Sequence, residues 1–204
     1  MRERDDRRGG GPSDVPRLFV AVPVPADVGL EVGRVISDAR AALGEDGRRI
    51  RWVQIEGLHV TLRFLGPTMA DRVPDVAAAL DHAAAGEARF AVRLSGAGAF
   101  PTADRPRALW LGIREGAEAL GRLAAAIEAD LRVAGWAVET RAFRPHLTIA
   151  RTDGVRAGPV AASALERAAA DLDAGFTAGA VVLYRSHLGS GPARYEALRE
   201  ARLS

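Results

Sequence analysis

Apolar positions along this chain alternate between two periods, every second residue in short runs and every third or fourth in longer ones, and the switches delimit its elements. Residues 17–22 read as a first strand, ended by Pro23 and Pro25. Val28, Val32, Val35, Ile36, Ala39 and Leu43 fall at helical spacing, which predicts a helix over 27–43 closed by Gly44. A short strand at 50–53 and a longer one at 58–65 follow, the latter stopped by Gly66-Pro67. An alanine-rich helix is predicted over 71–85, a strand over 89–94 and a loop over 96–105. The order then repeats, with a strand at 108–113, a helix at 117–133 ended by Gly135, strands at 136–139 and 146–150, a helix at 160–172 and a strand at 179–186.

Both halves therefore run strand, helix, strand, strand, helix, strand, a βαββαβ order that predicts an α+β fold. Trp52 and Trp136 follow the helix-ending Gly44 and Gly135 at comparable places, which supports the register of the repeat. The expected architecture is two pseudo-symmetric βαββαβ-like lobes with antiparallel sheets flanking a central groove, the duplicated halves lying at about 17–100 and 105–200. No Gly/Ser-rich linker divides them, so 17–204 is expected to fold as a single bilobal domain. Residues 1–16, rich in Arg, Asp and Gly, read as a disordered lead rather than a secretory signal.

The third strand of the first half carries Leu58-His59-Val60-Thr61-Leu62, and the corresponding strand of the second carries Pro145-His146-Leu147-Thr148-Ile149. In a strand, alternate side chains share a face. Val60 and Leu62, like Leu147 and Ile149, would face a core, leaving His59 with Thr61 and His146 with Thr148 on the open faces. Two imidazoles suit an in-line displacement at a phosphodiester, one taking a proton from water and the other giving one to the departing oxygen. Two hydroxyls can donate to the non-bridging oxygens, where charge accumulates. No metal is required by this scheme, and no cofactor is expected. Strict alternation places Arg63 on the face of His59, whereas Arg151 reaches the groove only if its strand bends or ends near Ala150.

Plainer readings compete. A histidine on an apolar strand is commonly a satisfied structural residue, and His59 with His146 could belong to a metal site, although neither has a third donor at recognisable spacing. His82 reads as a surface residue of a helix, His187 as strand-end packing, and Arg63 equally as a solvated edge charge. Trp52, Trp110 and Trp136 read as core.

Composition narrows the classes. The chain has 204 residues, 48% hydrophobic and 26% charged, as expected of a globular protein. With no cysteine, disulfides and thiolate metal sites are excluded. The apolar stretches are too short and too interrupted by charge to span a membrane, and a cytoplasmic location is expected. All 28 basic residues are arginine, set against 26 acids, a balance that does not by itself mark a nucleic-acid binder. A non-catalytic module that binds phosphorylated RNA ends or nucleotides is the alternative to an enzyme.

The segments His59-Val-Thr-Leu-Arg-Phe-Leu-Gly66 and Pro145-His-Leu-Thr-Ile-Ala-Arg151 resemble the paired motifs of the 2H phosphoesterase superfamily. More narrowly they resemble those of the bacterial and archaeal RNA 2′,3′-cyclic phosphodiesterases, also described as 2′-5′ RNA ligases. Arg17-Leu-Phe-Val-Ala, Arg51-Trp-Val, Ala99-Phe-Pro, Ala108-Leu-Trp-Leu-Gly112 and Ser186…Gly191…Tyr195 extend the likeness over the chain from Arg17 onward. The resemblance implies metal-independent opening of a terminal 2′,3′-cyclic phosphate to a 2′-phosphomonoester, with ligation of 2′,5′ bonds as a side activity. It implies His59 as general acid, His146 as base, Thr61 and Thr148 as phosphate ligands, and Arg151 beside the phosphate. Phe19 lies near the family's base-stacking position, although Val20 stands where relatives often carry a second aromatic, and Gly57 where they often carry Asn. The implied partner is RNA or an oligonucleotide with a cyclic phosphate end, acted on by a monomer without a membrane anchor. Another small cyclic or 2′,5′-linked phosphodiester is the alternative substrate.

Overall fold

The strand predicted over residues 17–22 is, from Leu18 on, a continuous apolar run and is buried on both faces: Leu18 through Val22 are all enclosed in an interior strand of its sheet. The computed structural model of the chain describes residues 15–154, 156–187 and 193–204. In chain order it contains β1 (Arg17–Pro23), α1 (Ala26–Leu43), β2 (Arg51–Trp52), β3 (His59–Pro67), α2 (Val73–Ala85), β4 (Phe90–Phe100) and β5 (Ala108–Glu115). There follow α3 (Ala117–Val133), β6 (His146–Arg151), α4 (Gly158–Ala168), β7 (Gly175–Ala178), β8 (Ala180–His187) and β9 (Arg194–Arg202). Among the described residues no helix is long and apolar enough to cross a membrane.

The strands form a four-stranded sheet in the order β3-β1-β8-β9 and a five-stranded sheet in the order β2-β6-β5-β4-β7, with every pairing antiparallel. Helices α2 and α3 bury their apolar stripes against the outer face of the first sheet, around Val20, Val60, Leu62, Leu120 and Leu183. Helices α1 and α4 cover the second around Leu109, Leu111, Leu147 and Ile149. β3 and β6 lie beside one another where the uncovered faces meet.

The α+β architecture of two lobes about a groove agrees with the sequence pattern, but the sequence halves do not coincide with the lobes. Each half gives one helix to each lobe, and β2 from the first half pairs with β6 from the second, Arg51 opposite Arg151.

Two predicted elements change, and two strands, β7 and β9, are additional to the predicted ones. Residues 136–139 form no strand, because their backbone is held by side chains: the Arg63 guanidinium donates to the Ala137 carbonyl at 2.5 Å and the Glu139 amide donates to Glu128 at 2.9 Å. β4 runs on to Phe100 through the expected loop, where Gly98 lets the Trp110 ring lie flat across it; a Cβ there would meet that ring at 2.3 Å. β9 was not foreseen, for its sequence RYEALREAR is charged rather than alternating. As a sheet edge it uses that charge against unwanted pairing. The expected disordered lead lies almost wholly outside the described residues.

Candidate active site

Both motif strands carry an irregularity immediately after the threonine. In the β1–β3 ladder Ala21 faces Thr61 but Val20 faces Arg63, so Leu62 is a bulge. In the β5–β6 ladder Trp110 faces Thr148 but Leu109 faces Ala150, so Ile149 is the extra residue. A bulge reverses the alternation beyond it. Ile149 and Ala150 are thus both fully buried and Arg151 turns into the groove. In β3 the same device turns Arg63 away and brings Phe64 to the groove, 53% exposed.

The expectation from alternation that Arg63 shares the face of His59 is therefore overturned. Its side chain, 11% exposed, is ion-paired with Glu128 at 2.7 Å and Glu139 at 3.6 Å, tying β3 to α3 and to the segment after it. Arg151 takes the cationic place in the groove instead.

A cleft of about 500 Å³ is lined by Phe19, His59, Thr61, Thr148 and Arg151, with Arg17, Arg51, Phe64 and Tyr195 among its other walls. His146 lies on the face of β6 that carries Thr148, with its ring edge-on to Phe100 at 4.9 Å and near Trp110 at 6.3 Å. Among the described residues neither Thr61 nor Thr148 spends its hydroxyl on a protein partner, and no carboxylate lines the cleft.

The two imidazoles are held in the same way. His59 Nδ1 donates to the Gly57 carbonyl at 2.7 Å, and His146 Nδ1 donates to the Arg144 carbonyl at 2.6 Å. With Nδ1–H so engaged, Nε2 is the nitrogen left for chemistry. Burial, outweighing its backbone bond, holds each imidazole below its ordinary value of 6.5. The Arg151 charge lowers both further, and for His59 the His146 charge adds to it. The two rings and one guanidinium thus form a single electrostatic unit.

His59 is the more enclosed ring, caged by Phe19 at 4.7 Å, Tyr195 edge-on at 5.0 Å and Tyr184 at 6.2 Å. Phe19, expected to stack on a base, is only 3% exposed and packs between His59 and Tyr184, so it is a support for the imidazole rather than an open platform. Gly57 leaves room for the Tyr195 ring, which a Cβ would touch at 3.1 Å. Burial raises the phenol pKa of both tyrosines, which keeps them neutral donors. Neither tyrosine was singled out from sequence for the cage, because Tyr195 sits on the unforeseen β9.

Other expectations find their places. His82 is exposed and bonded to Asp130 at 2.6 Å, and His187 ends β8 against Glu196 at 2.9 Å. Trp136 packs on the first core under Arg72, while Trp52 is half-buried on the second and also lines the cleft. Trp110, read as core, is instead part of the wall around His146. Arg51, opposite Arg151, adds a further guanidinium to the cleft, and neither has an ion pair among the described residues. The described residues form no group of three or more metal-binding side chains.

Paired imidazoles with free Nε2 atoms, two unengaged hydroxyls and an acid-free cationic wall define a site for proton transfer around a bound phosphate. Comparison with known proteins gives the family. A model of the 2′-5′ RNA ligase superfamily matches residues 31–190. The RNA 2′,3′-cyclic phosphodiesterase of Aeropyrum pernix is 36% identical over 125 residues, 61% of this chain and 69% of that protein. The enzyme of that name from Geobacillus stearothermophilus is 32% identical over 189 residues, 88% of this chain but 55% of the relative. A Thermus thermophilus crystal structure superposes with a TM-score of 0.72 at 26% identity, covering 92% of this chain and 97% of the other. Escherichia coli LigT, crystallised with 3′-AMP, shares the fold with a TM-score of 0.71 at 24% identity, covering 93% and 99%. The chain belongs to the 2′-5′ RNA ligase superfamily, the 2H phosphoesterases.

Proposed function

We propose that the protein hydrolyses 2′,3′-cyclic phosphate ends of RNA or oligonucleotides to 2′-phosphomonoesters. The observation that carries this reading is the matched pair of His-x-Thr strands, each imidazole held through Nδ1 by the carbonyl two residues earlier. The phosphate sits between the Thr61 and Thr148 hydroxyls, with Arg151 beside it. His146 Nε2 takes a proton from water as its oxygen bonds to phosphorus. The bond from phosphorus to the 3′ oxygen breaks, and that oxygen takes the proton held on His59 Nε2. His59 as acid and His146 as base are the roles that the resemblance of their motifs to the paired motifs of the superfamily implies. The relatives named as RNA 2′,3′-cyclic phosphodiesterases support the substrate class.

The reacting state needs His59 charged and His146 neutral, whereas the lowered pKa values favour two neutral rings near pH 7. The anionic substrate supplies the missing stabilisation for His59. A short RNA ending in a 2′,3′-cyclic phosphate, incubated in excess EDTA, is expected to give the 2′-phosphate. His59→Ala and His146→Ala should each lower kcat about a hundred- to ten-thousandfold, and the double variant little further. Binding without product would sink the reading in favour of a binding module.

A further inference from the structure

The two motif histidines are oriented by the same bond but not by the same support. The acceptor for His59 Nδ1, the Gly57 carbonyl, ends a one-turn 3₁₀ helix, Ile55–Gly57. Its own backbone fixes that turn, the Gly57 amide donating to Gln54 at 3.1 Å and the Leu58 amide to Ile55 at 3.2 Å, and Ile55 packs on the second core. The acceptor for His146 Nδ1, the Arg144 carbonyl, lies in a run of chain over 137–145 that is neither helix nor strand. Among the described residues, no backbone-to-backbone hydrogen bond of a turn or loop falls within that run.

Side chains hold it instead. Arg63, turned off the cleft by the bulge at Leu62, donates to the Ala137 carbonyl at 2.5 Å and is paired with Glu128 at 2.7 Å. Glu128, on α3, accepts the Glu139 amide at 2.9 Å with its other carboxylate oxygen. Glu139 in turn accepts the Arg141 amide at 3.1 Å, and Phe143 packs on the first core. From Ala137 to Phe143 the run is thus fastened to β3, α3 and the core beneath them, all in the lobe that carries His59. The fastening stops one residue short of the carbonyl that sets the His146 ring. Without Arg63 the Ala137 carbonyl is released, and Glu128 loses the cation that holds it beside the Glu139 amide. The bond from Nδ1–H to Arg144 then loses its fixed acceptor, and with it goes the tautomer that leaves Nε2 of His146 free to take a proton.

Resting on the cyclic phosphodiesterase reading, we propose that Arg63 is a positioning residue for the reaction: by pinning residues 137–143 to the first motif strand, it holds the Arg144 carbonyl where the His146 ring needs it. The strand of one motif thereby orients the histidine of the other. The test compares the wild type, Arg63→Met and Arg63→Met/Glu128→Leu at a temperature where circular dichroism shows each of them folded. Arg63→Met should lower kcat and kcat/KM alike, by about ten- to a hundredfold, with KM little changed, as for a misplaced reacting group. Imidazole nitrogen NMR well above pH 6.5, where both rings are neutral, should show His59 and His146 of the wild type each as the Nδ1–H tautomer. In Arg63→Met His59 should keep that tautomer and His146 should become a mixture of the two. The double variant, in which the stranded carboxylate is gone, should stay slow and mixed, because the Ala137 carbonyl and the Glu139 amide are still unpinned. A single Nδ1–H tautomer at His146 in Arg63→Met overturns the proposal whatever its kcat, and so does a double variant restored to the kcat of the wild type. Absence of turnover by the wild type is the distinct failure of the cyclic phosphodiesterase reading, and the His146 tautomer in Arg63→Met then decides the positioning role by itself.

Discussion

Each motif imidazole has one nitrogen committed to a backbone carbonyl, and its free nitrogen titrates in a field dominated by burial and then by Arg151. Since both folded values lie below 6.5, the form with His59 charged and His146 neutral is most populated on the acid side of that value in the free enzyme. The pH profile of kcat/KM, which reports the free enzyme, should therefore be a bell with its maximum below 6.5. Arg151→Gln removes a charge that lowers both values, so both limbs should move to higher pH while phosphate affinity falls. A profile unmoved by that substitution would detach Arg151 from the pair. Stability follows the same titration with its own sign. Above pH 6.5 the rings are neutral folded and unfolded and contribute nothing. Below it the unfolded chain binds protons that the folded chain resists, so stability falls until the folded values are passed. The urea midpoint should drop between pH 7 and 5, and less steeply in a His59→Gln/His146→Gln double variant.

Elements were legible wherever the apolar pattern was itself the cause of structure. Helix α3 was read at its observed limits because its stripe of Leu120, Leu123, Ile127 and Leu131 is what packs it onto the sheet. The motif faces were legible for the same reason, which placed His59, Thr61, His146 and Thr148 together. The bulges were not, because a bulge is set by how a neighbouring strand shares its hydrogen bonds, and the bulged residues, Leu62 and Ile149, are ordinary strand formers that do not announce it. That single omission exchanged Arg63 for Phe64 in the groove and hid Arg151 behind a parity argument. Strand β9 and the segment at 136–139 failed in opposite ways, one pairing without an apolar pattern and the other possessing the pattern but bound by side chains. Arg63 carries much of that second effect. Arg63→Met should cost about 2–3 kcal/mol in urea unfolding, because it leaves Glu128 half-buried without its cation. Adding Glu128→Leu should recover most of the loss; a double variant no more stable than the single one would show that the guanidinium's bond to the Ala137 carbonyl matters more than the ion pair.

Over the whole molecule, the exchange of helices and strands between sequence halves means that neither lobe is a continuous piece of chain. Unfolding one lobe strips partners from the other, so the protein should melt in one cooperative step. Trp52 packs on one core and Trp136 on the other. Fluorescence transitions of Trp52→Phe and Trp136→Phe variants, corrected for their own midpoints by circular dichroism, should each coincide with loss of secondary structure. A fluorescence change preceding it in either variant would mean separable lobes. The charge distribution is also a property of the whole. Arg93, Arg114, Arg122 and Arg199, all outside the cleft, are tied to acids at Glu115, Asp173, Glu87 and Asp81, whereas Arg51 and Arg151 stand opposite one another on adjacent strands with no ion pair among the described residues. Like charges so placed repel, and a small oxyanion between them relieves the repulsion. Sulfate or inorganic phosphate should accordingly raise the melting temperature above that in chloride at equal ionic strength. The same ions should compete with substrate, so phosphate-buffered assays will make this enzyme look slower than it is.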